Sequence, residues 1–153
     1  MALFASKTKT INGTALKVET VTQVSVTLDN VPGELAKLAS ALAEANVSID
    51  GLCRTDEPGG VVTDHFVVDN VAKARQVFAS LGKESWPIEI LKLTCLNDRP
   101  GVIAAIAAKF GSLGINIENI FHTSVGRGHG AVMYVAVKPG DLEKALAAAK
   151  EII

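Results

Sequence analysis

The sequence is poor in cysteine, and its charges are dispersed rather than clustered. Two cysteines, Cys53 and Cys95, occur in 153 residues, and they lack the C-x-x-C spacing of metal or redox sites. This content excludes a fold held by disulfides and indicates a reducing environment. The formal net charge is −1 and no block of lysine and arginine is present, whereas a nucleic-acid surface needs a basic stripe. We therefore expect no nucleic-acid partner.

Long apolar runs are also lacking. No run approaches the roughly 18–20 apolar residues of a membrane helix. The start, MALFASKTKT, has neither the apolar core nor the cleavage site of a secretory signal. We therefore expect no membrane partner and a cytoplasmic location. Hydrophobic residues nevertheless make up 48% of the chain and charged residues 20%, which is enough apolar surface to build a folded core.

A repeat of 68 residues organises the chain. Residues 28–42, LDNVPGELAKLASAL, correspond to residues 96–110, LNDRPGVIAAIAAKF. The correspondence extends without a gap from Leu28 to Val135. Its matched pairs include Pro32 with Pro100, Gly33 with Gly101, Ile49 with Ile117, and Gly60 with Gly128. The repeat predicts an N-terminal arm at residues 1–17 followed by two units, residues 18–85 and 86–153.

Each unit has the sequence pattern of a small sheet with two helices. Alternating Val24, Val26 and Leu28 predict a strand, and the apolar spacing from Leu35 to Leu42 predicts a helix with proline in its first turn. Two further strands, VSIDGLCRT and VVTDHFVV, a second helix and the strand WPIEI complete a β-α-β-β-α-β order. The second unit repeats this order, with INIENIFHT as its second strand. The predicted fold class is α+β, with two ferredoxin-like units built on antiparallel sheets.

Two features depart from a plain tandem repeat. The second unit ends at Ile153 in or just after its second helix, so its last strand is missing. We predict that residues 14–21 supply this strand and interleave the two sheets, although residues 11–14 also fit a hairpin turn that would fold the arm onto itself. In LKLTCL, the apolar residues change phase relative to Ile88 and Ile90. This change indicates either a β-bulge or a strand that is buried on both faces.

The two Pro-Gly segments lead into predicted helix N-termini. Unpaired backbone N–H groups and the helix dipole favour an anion there, and Gly33 and Gly101 would let a carboxylate approach the backbone. The flanking polar residues, which could bind an ammonium group or an amide, are Asp29, Asn30, Asn97 and Asp98. The arrangement favours a small zwitterion as ligand, while the same residues also make a good turn and helix start without any ligand.

The order of these motifs resembles the ACT domain. A strand, a D/N-x-x-P-G turn, an Ala-rich helix and a strand containing INI follow one another in LNDRPGVIAAIAAKFGSLGINIENI. ACT domains are small regulatory modules that commonly bind amino acids between the strand–helix turn of one copy and the second strand of another, and often pair side by side. The resemblance covers both units. It implies a stand-alone tandem ACT protein, with a homodimeric state, that acts allosterically on a separate target protein.

The resemblance also implies ligand-binding positions in both units. Those of the first strand–helix turn are Asp29, Asn30, Val31, Pro32, Gly33, Glu34 and Leu35. Those of the second are Asn97, Asp98, Arg99, Pro100, Gly101, Val102 and Ile103. The facing walls are Ser48, Ile49 and Asp50, and Asn116, Ile117 and Glu118. Asn116 is the more typical residue at the position that Ser48 occupies in the first unit, so the two sites need not be equivalent and only one could be occupied.

No sequence feature indicates catalysis. The chain has no nucleophile elbow, catalytic lysine motif or paired carboxylates, so we predict that it is not an enzyme and needs no cofactor. The segment GRGHG at residues 126–130 lies between two strands, which favours a hairpin turn over a phosphate loop. His65, His122 and His129 lack a complete ligand set, so we predict no metal site. We expect His122 and His129 to face each other across the hairpin, and the cysteines to be small core residues.

Three functions remain open from the sequence alone. The first is an amino-acid-binding regulatory protein. The second is a ligand-free scaffold or interaction subunit that binds an enzyme through the surfaces of its repeats. The third is a metal sensor that uses one of the three histidines. Ala104, Ala105 and Ala108 lie off the apolar stripe of their helix, where they could admit a closely packed partner or serve simply as good helix formers.

Overall fold

The computed structural model describes residues 9–11 and 14–152. These residues form two compact units. The central unit is Thr22–Ile88, and the C-terminal unit comprises the described residues up to Val21 together with those from Glu89 onward. The strands are β1 (Lys9–Ile11), β2 (Thr14–Asp29), β3 (Ile49–Glu57), β4 (Val61–Val68), β5 (Trp86–Cys95), β6 (Asn119–Ser124) and β7 (Ala131–Ala136). The helices are α1 (Glu34–Glu44), α2 (Val71–Ser80), α3 (Val102–Ser112) and α4 (Leu142–Glu151), with a 3₁₀ turn at Pro139–Asp141.

The central unit places an antiparallel sheet against α1 and α2. Its strand order is β3–β4–β2. Val24, Val26 and Leu28 alternate along β2 and share one buried cluster with Leu38 and Leu42 of α1. A strand period of two and a helix period of 3.6 turn these residues to the same core. The sequence pattern of this unit therefore predicts both its helices and the helix-facing side of its sheet.

The C-terminal unit has the strand order β6–β7–β5–β2, and β1 is an antiparallel neighbour of β2. Its core is formed by strand residues such as Leu91 and Leu93 together with α3 and α4. Leu16 of β2 is buried in this core, and Leu96 N–H donates to Ala15 O at 3.0 Å. Residues 12–13 of the predicted hairpin turn lie outside the described residues. Interleaving of the two sheets through residues 14–21 stays a prediction.

The ungapped 68-residue register is wrong at two of the three strand pairs that it relates. In each unit, three residues lie side by side on the first, third and second strands of the sheet and form a row. Counted from the end of the sheet that bears the strand–helix turn, one row of the central unit corresponds to one row of the C-terminal unit, and the first residue of each row faces the core of its unit. The rows are Val26–Asp64–Arg54 and Leu93–Met133–His122. The first members are offset by 67 positions, the second by 69 and the third by 68.

The strand–helix loop is one residue longer in the C-terminal unit, which explains the first offset. The helix N-cap follows the last core residue of the strand by five positions in the central unit, from Leu28 to Gly33. It follows by six positions in the C-terminal unit, from Cys95 to Gly101. Because a one-residue slip turns every strand side chain to the other face, the 68-residue register assigns LKLTCL to the wrong face. Leu91, Leu93 and Cys95 lie in the core.

The hairpin loop is also one residue longer in the C-terminal unit. The last helix-facing pair of the hairpin is Asp56 with Val62 in the central unit and Ser124 with Ala131 in the C-terminal unit. Strand β6 begins only at Asn119. The prediction that the strand starts at INIEN is therefore wrong, and Glu118 N–H instead donates to Ala136 O at 2.9 Å. Both prolines precede the N-cap glycines and do not lie in the first helical turn.

Candidate functional site

The start of α3 presents backbone donors to the surroundings. Gly101 is the N-cap residue, with a φ of 102°, and no side chain caps the helix. Glycine adopts this left-handed conformation at little cost, whereas other residues are strained by it. Because a side-chain cap is absent, N–H groups of the first turn can hydrogen-bond to a bound anion.

The turn before α3 is held against the β6–β7 hairpin. Asp98 N–H donates to His129 O at 2.7 Å, and Gly128 N–H donates to Asp98 O at 2.8 Å. Ser124 Oγ donates to Asp98 Oδ2 at 2.6 Å and accepts from Gly126 N–H at 3.1 Å. The GRGHG segment is thus a hairpin loop, as predicted from the sequence, and it also fixes the orientation of the strand–helix turn.

A cavity of about 310 Å³ lies at the start of α3. It is lined by Asp98, Arg99, Pro100, Gly101, Val102, Ile103, Ala104, His122 and Arg127. A second cavity, of about 340 Å³, shares Arg99, Pro100 and Arg127 with it and adds Asn97 and Gly128. These volumes lie at the small end of the range of roughly 300–1,000 Å³ for ligand sites. The predicted positions from Asn97 to Ile103 therefore lie together around space for a small molecule.

Two guanidinium groups give this cavity a positive character. Arg99 is at the turn, and Arg127 reaches it from the hairpin loop. Within the part of the chain that the structure describes, neither forms an ion pair or a side-chain hydrogen bond. Asp98 is the opposing carboxylate, and one of its oxygens accepts the hydrogen bond from Ser124. Arg127 was not among the predicted site residues, because the Pro-Gly motif that indicates the site does not include the hairpin loop.

His122 adds a ring nitrogen without a hydrogen-bond partner. Its Nε2 is buried, and no group in the described residues bonds to it. The expectation that His122 faces His129 is wrong, since His122 is opposite Met133 in the β6–β7 ladder. That row faces the helices, which brings His122 to the cavity. A buried polar atom left unpaired costs roughly 1–3 kcal/mol, so a ligand group that bonds to Nε2 would remove this cost.

The equivalent turn of the central unit has a different charge. Asn30 N–H donates to Gly60 O at 2.9 Å, and Gly33 is an N-cap with a φ of 92°. The first helical residue is Glu34, which accepts a hydrogen bond from Lys37 at 2.7 Å. That bond is the main cause of a lowered pKa for Glu34. A carboxylate therefore already lies at this helix start, where the dipole favours an anion, and it is paired with Lys37 and, at 3.9 Å, with Lys83.

The predicted facing walls are separate from the cavity. Asn116, Ile117 and Glu118 do not line it, and Ile117 packs against the core of the C-terminal unit. Ser48 N–H donates to Asp69 Oδ1 at 2.9 Å, immediately before β3. A role for these positions as a wall toward another copy stays a prediction.

A second polar cluster surrounds His65 in the central unit. His65 Nδ1 lies 2.8 Å from Ser25 Oγ and 3.4 Å from Gln23 Nε2, and its Nε2 lies 3.1 Å from Thr55 Oγ1. Burial lowers the pKa of His65, and this effect is larger than the opposing effect of Asp64. No three His, Cys, Asp or Glu side chains of the described residues are grouped as a metal site requires.

The two cysteines differ in exposure. Cys95 is buried in the C-terminal core, where burial raises the pKa of its thiol, and Cys53 is partly exposed. A buried thiol with a raised pKa is a poor nucleophile. Cys95 is thus a small core residue, as expected from the sequence, whereas the same expectation is wrong for Cys53, which is partly exposed.

The C-terminal unit is a small α+β unit with a ligand-sized cavity at a helix start. Residues 90–153 match the family model of the ACT domain. This segment contains α3, the β6–β7 hairpin and α4 together with every residue that lines the cavity. The match shows that this segment, which is less than half of the chain, is similar to the ACT domain.

Solved structures share the fold over most of their length. Protein BT0572 from Bacteroides thetaiotaomicron is similar with a TM-score of 0.76 and 19% identity, over 88% of this chain and 89% of that one. The ligand-free regulatory subunit of aspartate kinase from Thermus thermophilus is similar with a TM-score of 0.64 and 22% identity, over 95% and 99%. The corresponding subunit from Thermus flavus gives 0.62 and 23%, over 94% and 99%. At these identities the similarity establishes a common fold.

No curated protein matches the sequence significantly. In the described residues, every helix is too short or too polar to span a membrane.

Proposed function

We propose that the protein is an amino-acid-responsive regulator with no catalytic activity of its own. A small amino acid binds at the start of α3, and binding changes how the protein associates with a separate enzyme or regulator. The observation that carries this proposal is the cavity against an uncapped helix N-terminus, in the segment that matches the ACT domain. The α-carboxylate accepts hydrogen bonds from the first turn of α3, and the ammonium group faces Asp98.

The solved structures support a regulatory role by analogy. The two Thermus proteins are regulatory subunits of aspartate kinase, and each is covered almost completely by this chain. The proposal accordingly includes a tandem of two ACT-like units, interleaved through residues 14–21, in a cytoplasmic homodimer. Because a ligand shifts an equilibrium only by its differential affinity for two states, the effector must bind one association state more tightly than the other.

Thermal unfolding with each of the twenty amino acids at millimolar concentration tests the proposal. A ligand present at about 100 times its dissociation constant stabilises the folded state by roughly 2.7 kcal/mol. For a chain of this size, this corresponds to a rise in Tm of about 5–10 °C. We expect one amino acid, or one chemically related group, to stand out. If all twenty leave Tm unchanged, the proposal fails.

Two glycine variants supply a matched comparison. Gly101→Leu fills the start of α3 and should abolish the ligand-dependent rise in Tm. Gly33→Leu, at the corresponding N-cap of α1, carries the same positive-φ strain and should retain the rise. Equal loss in both variants would attribute the effect to general destabilisation and not to the cavity.

A ligand-free scaffold is the second candidate. Exposed apolar side chains on the C-terminal unit favour it, notably Leu96 at 62% and Val125 at 76% exposure. Under this alternative, a partner protein binds with an affinity that no amino acid changes. Leu96→Ser and Val125→Ser would weaken that association and leave the thermal panel unchanged.

A further inference from the structure

We propose that the cavity at the start of α3 selects amino acids with an acidic side chain, and that the chain contains one such site and not two. This inference rests on the proposed function, since it names the chemical class of the amino acid that binds there. The carrying observation is a surplus of cationic and donor groups in the C-terminal unit that the central unit lacks.

A neutral zwitterion leaves part of this cavity unsatisfied. Its α-carboxylate uses the N–H groups of α3, and its ammonium group uses Asp98. Both guanidinium groups, of Arg99 and Arg127, then remain without an anion among the described residues. Guanidinium pairs well with carboxylate through parallel, charge-assisted hydrogen bonds. A second carboxylate on the ligand supplies the missing anion and balances the charge of the cavity.

His122 points to the same ligand chemistry. Its buried Nε2 has no partner in the described residues, and the ring lines the same cavity as both arginines. When Nε2 carries the proton it donates to an anionic oxygen, as the guanidinium groups also do. Three donors thus lie around one small space. An aliphatic ligand side chain would leave the buried Nε2 unpaired, which is costly, and would bring no anion to the two exposed guanidinium groups.

The size of the cavity limits the ligand to a small molecule. A volume of about 310 Å³ lies at the small end of the range for ligand pockets, roughly 300–1,000 Å³, and is sufficient for an amino acid. Aspartate and glutamate meet the requirements of size and charge together.

The central unit lacks this set of donors. Counted back from the N-cap glycine, the residue that corresponds to Arg99 is Val31, and the hairpin loop of the central unit, residues 58–60, contains no cationic residue. In the row position of His122 the central unit has Arg54, whose guanidinium donates to both carboxylate oxygens of Asp64, at 2.7 and 2.9 Å. That cation is already paired with a carboxylate that is fully buried. The lysines at the start of α1, Lys37 and Lys83, both lie against Glu34, at 2.7 and 3.9 Å, so the cations of the central turn already have a carboxylate partner.

Isothermal titration calorimetry with matched acids and amides tests the inference on the full-length protein. The probes are L-aspartate against L-asparagine and L-glutamate against L-glutamine, because each pair differs by one charged group at nearly constant size. We expect one acid to bind at one molecule per chain and at least about tenfold more tightly than its amide, a difference of about 1.4 kcal/mol. Raising the salt concentration should reduce this preference, since exposed charges are screened.

Charge-removing variants locate the preference. Arg127→Gln and Arg99→Gln should each bring the acid-to-amide ratio below about threefold, and His122→Phe should lower affinity for the acid more than for the amide. Lys138→Gln removes an exposed charge of the same unit outside the cavity and should leave the ratio unchanged.

The outcomes separate the inference from the proposed function. Binding of a neutral or basic amino acid in preference to both acids overturns the inference and leaves the regulator proposal standing. Two molecules of acid per chain overturn the single site. Failure of all twenty amino acids to bind overturns both. A preference for an acid that Arg127→Gln and Arg99→Gln leave intact would show that a different site binds it.

Discussion

His65 shows how burial of a single titratable side chain links stability to pH. Its ring is half-buried among hydroxyl and amide groups, and burial lowers its pKa in the folded protein, with opposing contributions from Asp64 and Glu57. The unfolded chain therefore takes up a proton on His65 at a higher pH than the folded chain does. The contribution of His65 to the free energy of unfolding is at its full value above the ordinary pKa of about 6.5. It decreases as the pH falls through 6.5 toward the lowered pKa of the folded protein.

We expect His65→Gln to weaken this pH dependence. The free energy of unfolding, measured by urea denaturation at pH 8 and at pH 5.5, should fall with acidification in the unmodified protein and fall less in the variant. His129→Gln, an exposed position in the hairpin loop, serves as the control and should keep the full decrease. Equal decreases in the unmodified protein and His65→Gln would refute the assignment.

Arg54 and Asp64 form an ion pair in which only one partner reaches solvent. The Asp64 side chain is fully buried, whereas that of Arg54 is 37% exposed. Arg54→Ala should cost about 2 kcal/mol of stability, because it leaves a buried carboxylate unpaired. This cost is below the usual range for removing one partner of a buried ion pair, because water can reach the space that the Arg54 side chain vacates. Urea denaturation measures the change.

The C-terminal unit suggests the variant that should recover this loss. Met133 and His122 occupy the same row positions there as Asp64 and Arg54. The double variant Arg54→His/Asp64→Met should be more stable than Arg54→Ala, since it removes the buried charge altogether. Arg75→Ala, which loses exposed bonds to Ser85, is the control and should change stability by less than about 0.5 kcal/mol. A double variant as unstable as Arg54→Ala would contradict this account.

At the scale of elements, local patterns gave the helices and missed the loop lengths. The apolar spacing of α1 and α3 predicts both helices because burial of one face imposes a period of 3.6. Each of two loops differs by one residue in length between the units, and the sequence comparison did not detect this. Corresponding strand residues are 67 positions apart at one strand and 69 at another, so both lie within one residue of the 68-residue repeat. The changed phase of LKLTCL was the visible sign of this shift, but the sequence equally allowed a β-bulge or a strand buried on both faces as its explanation.

The candidate site was predictable only in part, because some of its residues are contiguous in the sequence and others are brought to it by tertiary packing. Residues from Asn97 to Ile103 are contiguous, so the Pro-Gly motif alone indicates them. His122 and Arg127 join them only through the register of the β6–β7 hairpin, which depends on tertiary packing. One signal was available, because in a β-α-β-β order the hairpin loop returns to the sheet end that bears the strand–helix turn. A cationic residue in that loop is therefore a candidate neighbour of the turn.

At the scale of the whole molecule, strand β2 matters because it contributes residues to both compact units. Its first half carries Leu16, which is 1% exposed in the C-terminal core, and its second half carries Leu28, which is 1% exposed in the central core. Substitutions at these two positions remove equivalent side chains from different cores, so their effects can be compared directly.

We expect Leu16→Ala and Leu28→Ala each to cost about 2–5 kcal/mol, the usual range for a buried leucine, and to act on different segments. Native-state hydrogen exchange should show faster exchange in β5, β7 and α3 for Leu16→Ala, and in β4 and α1 for Leu28→Ala. This pattern would support residues 14–21 as the closing strand of the C-terminal unit. If Leu16→Ala accelerates exchange only between Lys9 and Val21, the arm folds onto itself and contributes little to that core, and the proposed interleaving is wrong.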